Sequence, residues 1–121
     1  MSVSLSMREA LEMWRGTLVE SVRRDGPDLS ARQMAVLMMV YLDPPPHTVR
    51  GLAERLRVGK PAVTRALDTL AKFDLVRRKV DELDRRSVLV QRTVPGSVWL
   101  SEFADLVAQS TPGVAETTRP Q

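Results

Sequence analysis

Thr48-Val49-Arg50-Gly51-Leu52-Ala53-Glu54-Arg55-Leu56-Arg57-Val58-Gly59-Lys60-Pro61-Ala62-Val63-Thr64-Arg65-Ala66-Leu67-Asp68-Thr69-Leu70-Ala71-Lys72 is the stretch on which the fold turns. Thr48 is placed to cap a helix running Val49 to Leu56, because its hydroxyl can accept from an N–H left unpaired in the first turn. Val58-Gly59 marks a tight turn. Lys60-Pro61 opens a second helix, with proline where a missing N–H costs nothing. In that second helix Val63, Ala66, Leu67 and Leu70 form one apolar stripe, and Thr64, Arg65, Asp68 and Lys72 fall on other faces. Ala53 is a small residue inside the first helix, which lets two short helices cross closely.

Upstream, Ser4 to about Arg24 reads as an amphipathic helix. Met7, Ala10, Leu11, Trp14, Leu18 and Val22 recur at three- and four-residue steps. Asp25-Gly26-Pro27-Asp28 ends it. Ser30 and Gln33 have capping-box spacing and open a helix to Leu42. That helix is apolar on nearly every side, so burial is expected for it. Pro44-Pro45-Pro46 then forces an extended connector. Downstream the period changes. Leu75–Val80 and Ser87–Arg92 are short, β-branched segments around a charged tip, Asp81 to Arg86, which is a hairpin pattern. From Thr93 and Pro95 a last helix carries Trp99, Phe103 and Leu106 to about Gln109. The expected architecture is mostly α with a small β-hairpin wing, a winged helix-turn-helix of about five helices. It divides into an N-terminal helix (1–27), the winged helix-turn-helix (28–95), a C-terminal helix (96–109) and a disordered polar tail (110–121), the two end helices being those to which the resemblance described below assigns dimerisation.

Charge separates along the chain. Residues 48–93 hold twelve Lys/Arg and six Asp/Glu, a net of +6, against −3 for the rest. Such polarity offers one basic face to a polyanion. With 43% apolar residues in 121, the chain can build one core. It has no cysteine, which excludes disulfides, cysteine zinc sites and thiol redox sensing. Neither a signal peptide nor a membrane-length apolar run is visible, so a cytoplasmic protein is expected. His47, the sole histidine, sits in the proline-rich connector and reads as solvated. No metal set, cofactor loop or activated nucleophile is recognisable, so no cofactor and no enzyme activity are expected.

A helix-turn-helix followed by a hairpin points to duplex DNA. The second helix can lie in a major groove, where Arg65 and Thr64 could read base edges. Arg50 and Lys60 are better placed for phosphates. At the hairpin tip, Arg85 and Arg86, with Ser87 beside them, could enter the minor groove while Asp84 braces an arginine. Arginines at a hairpin tip also serve simply in surface ion pairs, and the preceding helices favour the DNA reading. The alternative from another class is a winged helix used for protein interaction, which would usually have lost this basic helix and tip.

Residues 28–97, above all Val63-Thr64-Arg65-Ala66-Leu67-Asp68 and Asp84-Arg85-Arg86-Ser87-Val88-Leu89-Val90, resemble the MarR family of bacterial winged-helix regulators. The resemblance implies that Thr64 and Arg65 lie on the base-reading helix, Arg86 is the wing arginine and Asp84 its brace. It further implies a homodimer on double-stranded DNA, repression as the default, and in many members a small-molecule effector that binds near the dimer interface. Leu11, Trp14, Leu18, Trp99, Phe103 and Leu106 are the expected interface residues. Only one helix follows the hairpin where the family usually has two. The interface is therefore expected to be smaller, or to be built mainly from the first and last helices.

Overall fold

Ser30 opens the helix around which the central unit is built. In the computed structural model, which describes residues 4–112, its hydroxyl accepts from the Gln33 N–H at 3.2 Å and the Gln33 side chain accepts from the Ser30 N–H at 2.8 Å. Both orphan donors are thereby satisfied, and the helix, α2 (Ala31–Leu42), is fixed at the residue its sequence indicates. Ser6 and Glu9 form the same box before α1 (Met7–Arg23), so that helix begins after Ser6, not at Ser4. Hydrogen bonds from the Ser6 backbone and side chain hold the Glu9 carboxyl below its ordinary value.

After α2 come β1 (His47–Thr48), α3 (Val49–Leu56), α4 (Lys60–Lys72), β2 (Val76–Val80), β3 (Val88–Arg92) and α5 (Val94–Gln109). The strands form one antiparallel sheet in the order β1-β3-β2, with Arg78 opposite Val90 and His47 opposite Val90 on its other side. The described residues form two compact units, Leu29–Trp99 in one and the residues before and after it in the other.

Within the central unit α4 packs on α2 and α3 and meets β2. The core is Val36, Leu37 and Val40 from α2, Leu52 and Ala53 from α3, Val63, Ala66, Leu67 and Leu70 from α4, with Leu75, Val76 and Val90. The expected burial of α2 holds on this side only. Met34, Ala35, Met38 and Met39 are half-buried. In the other unit Thr17 is fully buried and bonds to the Met13 carbonyl at 2.9 Å, and a side chain at Gly16 would meet Ser110 at 2.8 Å. Ser110 to Pro112 make a turn closed on α5, with Thr111 donating to the Val107 carbonyl at 3.0 Å. The remainder of the tail expected to be disordered lies outside the described residues.

Three local expectations need correction. The turn between α3 and α4 takes its left-handed residue from Arg57 (φ 58°), whereas Gly59 is extended (φ −73°) and serves as the α4 N-cap. The helix end is closed by the Val58 N–H on the Ala53 carbonyl at 3.1 Å, which requires the reversal two residues earlier than glycine stands. A non-glycine there costs about 1 kcal/mol. The connector Pro44–Pro46, which contains a cis Pro45–Pro46 bond, runs into a strand that the sequence reading omits. His47 belongs to that strand and is buried, with Nε2 3.1 Å from the Asp43 carbonyl, so it is not a solvated loop residue.

The junction of α2, β3 and α5 is closely packed. The Tyr41 hydroxyl accepts from the Thr93 N–H at 2.8 Å and lies 2.8 Å from the Leu75 carbonyl, an available acceptor for its proton. Thr93 caps α5 by accepting from Gly96 N–H at 3.0 Å while its hydroxyl donates to the Asp74 carbonyl at 2.7 Å. Gly96 leaves no room for more: a Cβ there would sit 1.9 Å from the phenol oxygen and 2.3 Å from the Leu75 carbonyl. Gly96→Ala is expected to destabilise the protein by about 3 kcal/mol through overpacking, and Tyr41→Phe by about 1–3 kcal/mol through an unpaired Thr93 N–H. Urea denaturation midpoints would measure both.

Candidate nucleic-acid interface

With its apolar stripe sealed in the core, α4 turns Lys60, Thr64, Arg65, Asp68 and Lys72 to solvent. Its two flanks open onto different concavities. On one side a groove of about 440 Å³ is lined by Val49 and Arg50 of α3, Lys60 and Thr64 of α4, Arg78 and Val88 of the strands, and Asp84, Arg86 and Ser87 of the hairpin tip. Six residues singled out in the sequence (Arg50, Lys60, Thr64, Asp84, Arg86 and Ser87) thus meet in one place. Arg65 lies on the opposite flank, in a second concavity of about 230 Å³ with Ser30, Arg32 and Gln33 of α2. Arg85 lines neither and stands exposed on the tip.

Arg78 is a groove residue that the sequence reading missed. It donates to the Asp68 carboxylate at 2.8 Å and so ties β2 to the outer face of α4. Strand alternation carries the signal: Arg78 is two residues from buried Val76 and so falls on the same face of the sheet. The flanking Arg77 and Lys79 disguise it as part of an undifferentiated basic run.

The hairpin tip is a defined structure held by short-range bonds. Asp81 N–H donates to the Ser87 carbonyl at 3.0 Å, Asp84 N–H to the Asp81 carbonyl at 3.2 Å, and Ser87 N–H to the Asp84 carbonyl at 2.8 Å. One Asp84 carboxylate oxygen accepts from the Arg86 N–H at 3.1 Å and from Arg86 Nε at 3.3 Å. The same carboxylate therefore shapes the turn and restrains the guanidinium. Arg86 is 94% exposed, so this ion pair adds little stability. Its consequence is orientation.

Four cations and one carboxylate line the larger groove. Among the described residues Arg50, Lys60, Arg65 and Arg85 make no ion pair within 4 Å. The first turns of α2, α3 and α4 carry no acidic side chain, unlike that of α1 with Glu9. Their positive helix ends are left uncompensated, which adds to the potential of this face. Among the described residues no group of three His, Cys, Asp or Glu could hold a metal, and no helix is long and apolar enough to cross a membrane.

The expected interface residues separate into two sets. Leu11, Trp14 and Leu18 are exposed on α1 and continue a stripe from Met7 to Val22. Trp99 and Phe103 are buried within the single chain, and Leu106 is half-buried. The spacing of apolar residues on α5 could not distinguish these cases.

A two-helix motif with a short crossing turn, flanked by a three-stranded hairpin sheet that shares its core, defines a winged helix-turn-helix protein. A family model described as the MarR family matches residues 28–87. The regulator BldR from Sulfolobus solfataricus is similar in structure (TM-score 0.59) at 29% identity over 92% of this chain and 85% of that one. A mutant MarR from E. coli, solved with operator DNA, is similar at 27% identity and TM-score 0.68, over 86% of this chain and 71% of that one. A mutant MepR from S. aureus superposes with TM-score 0.73 at 18% identity, over 96% and 86%. No curated protein matches significantly. The chain belongs to the MarR family.

Because Asp84 shapes the tip through the Arg86 N–H, Asp84→Ala is expected to speed exchange of that amide about five- to tenfold, in line with loss of one hydrogen bond. Global stability should hardly change. Hydrogen exchange followed by NMR would report both.

Proposed function

We propose that the protein is a sequence-specific regulator of transcription that binds double-stranded DNA as a homodimer. The observation that carries the reading is the larger groove, where Arg50, Lys60, Thr64, Arg78 and Arg86 converge beside an outward-facing α4. A surface that concentrates cations in this way suits a polyanion, and the operator complex of the similar E. coli protein supports duplex DNA as that polyanion.

In this reading α4 enters a major groove. Thr64 and Arg65 contact base edges, and Lys60 and Arg50 contact phosphates. The wing lies alongside, with Arg86, held by Asp84, and Arg85 in the minor groove, where a narrow groove concentrates negative potential. Ser87 closes the contact near the backbone. Two copies related by a twofold axis would place two α4 helices about 34 Å apart on a pseudo-palindromic site. Binding over a promoter would repress by excluding polymerase. The exposed α1 stripe of Leu11, Trp14 and Leu18 supports α1 as the face that pairs the copies, since a row of apolar side chains in water is otherwise unfavourable. A small-molecule effector would act only in so far as it binds one spacing of the two α4 helices better than another. A protein-interaction module has less support, because the cations of α4 and the wing are retained.

Arg65→Ala and Arg86→Ala are each expected to weaken binding to a duplex selected from a random pool by about 1–3 kcal/mol in mobility-shift titrations. Wild-type affinity in both variants would refute the contact assignment. For the assembly, Trp14→Glu should convert dimer to monomer at micromolar concentration in sedimentation velocity. A variant that remained dimeric would remove α1 from the interface.

A further inference from the structure

Of the second concavity on α4, only Arg65 has a place in the contacts assigned so far. The concavity is lined by Ser30, Arg32 and Gln33 at the start of α2 and by Ala62, Arg65 and Thr69 along α4. No carboxylate lines it. Arg32 is exposed, and among the described residues neither Arg32 nor Arg65 makes an ion pair within 4 Å. Of the other polar groups there, the Ser30 hydroxyl and the Gln33 side-chain oxygen are used in the capping box. Two guanidinium groups with no counter-charge therefore face one hollow about large enough for a tetrahedral oxyanion and its water.

A helix lying in a major groove has a sugar–phosphate strand on each side. The Arg50–Lys60–Arg86 groove can serve only the strand on its own flank of α4. We propose that Arg32 binds a backbone phosphate of the other strand, beside the base-contacting Arg65, so that α4 is held in the groove from both sides. This rests on the DNA-binding reading above and adds to it a contact from α2. Arg32 is in this scheme a positioning residue with no base contact. A guanidinium on a phosphate fixes register and carries no sequence information.

Phosphate and base contacts leave different signatures, and these supply the test. Affinity would be measured from 0.05 to 0.3 M salt for two probes, a duplex selected from a random pool by the wild-type protein and a scrambled duplex of equal length. Arg32→Ala is expected to weaken both probes by the same factor, roughly three- to tenfold, and to lower the slope of log affinity against log salt by about 1. Arg32→Lys, which keeps the charge, should restore most of both. The proposal is overturned if Arg32→Ala retains the wild-type affinity and slope, or if it weakens the selected probe alone with the slope unchanged. Failure of the underlying reading looks different: the wild-type protein would then bind neither probe, and the contact would fall with it.

Discussion

A single phenol oxygen holds the parts of the central unit in register. Tyr41, near the end of α2, accepts from the backbone where β3 becomes α5 and lies within bonding distance of the carbonyl of Leu75, where α4 gives way to β2. Three chain segments distant in sequence meet at one atom, and Gly96 is the only residue type that lets them come so close. Arg92 reinforces the same joint. Its guanidinium donates to the Val40 and Asp43 carbonyls at 2.8 and 3.0 Å, satisfying acceptors that the end of α2 leaves open. The wing hangs from this joint. An arginine tip is useful as a reader only if its distance from α4 is fixed, and here that distance is set by buried hydrogen bonds at the base of the lever and by the Arg78–Asp68 pair part-way along it.

The electrostatics of the unit run against its own stability. Unpaired cations side by side repel, and three helix N-termini without acidic residues forgo a favourable interaction worth about 0.3–1 kcal/mol each. The helix α1, which belongs to the other unit, has the ordinary arrangement, with Glu9 in its first turn and an Arg8–Glu12 pair further along. The first turn of α5 is also free of acidic residues, so what sets this face apart is its unpaired cations. A polyanion would remove the repulsion and convert each uncompensated charge into a contact.

Much of this was legible in the sequence because the deciding signals are local. Ser30 with Gln33 and Thr48 with Gly51 specify helix starts through atoms three residues apart, Lys60-Pro61 does so by proline in the first turn, and each start lies where those residues put it. The hairpin was legible for the same reason, since its strands alternate and its tip is polar. What escaped depends on partners far along the chain. Strand β1 exists because His47 and Thr48 find Val90 and Leu89, some forty residues away. Arg78 is set apart from Arg77 and Lys79 by strand alternation and by its bond to Asp68, neither of which shows in a run of three basic residues. The left-handed turn at Arg57 defies the usual preference for glycine and is imposed by the crossing of α3 and α4, with Ala53 buried beneath it. Trp99 and Trp14 look alike on a helical wheel, yet one is buried and the other half exposed.

That last difference bears on how the proposed dimer could be built. Side chains already buried inside one copy have little apolar area left to lose on association, so Trp99 and Phe103 would contribute little to a dimer whatever its geometry. The area still in water lies on α1, where Met7, Leu11, Trp14, Leu18 and Val22 follow one another at three- and four-residue steps. Its opposite side is committed, for Thr17 is buried and Gly16 is pressed against Ser110. A helix packed on one face and apolar on the other favours a partner on the second face, and in the proposed dimer α1 meets its own copy there. If it does, the affinity between copies rests on a single stripe, and the spacing of the two reading heads inherits whatever play that stripe allows.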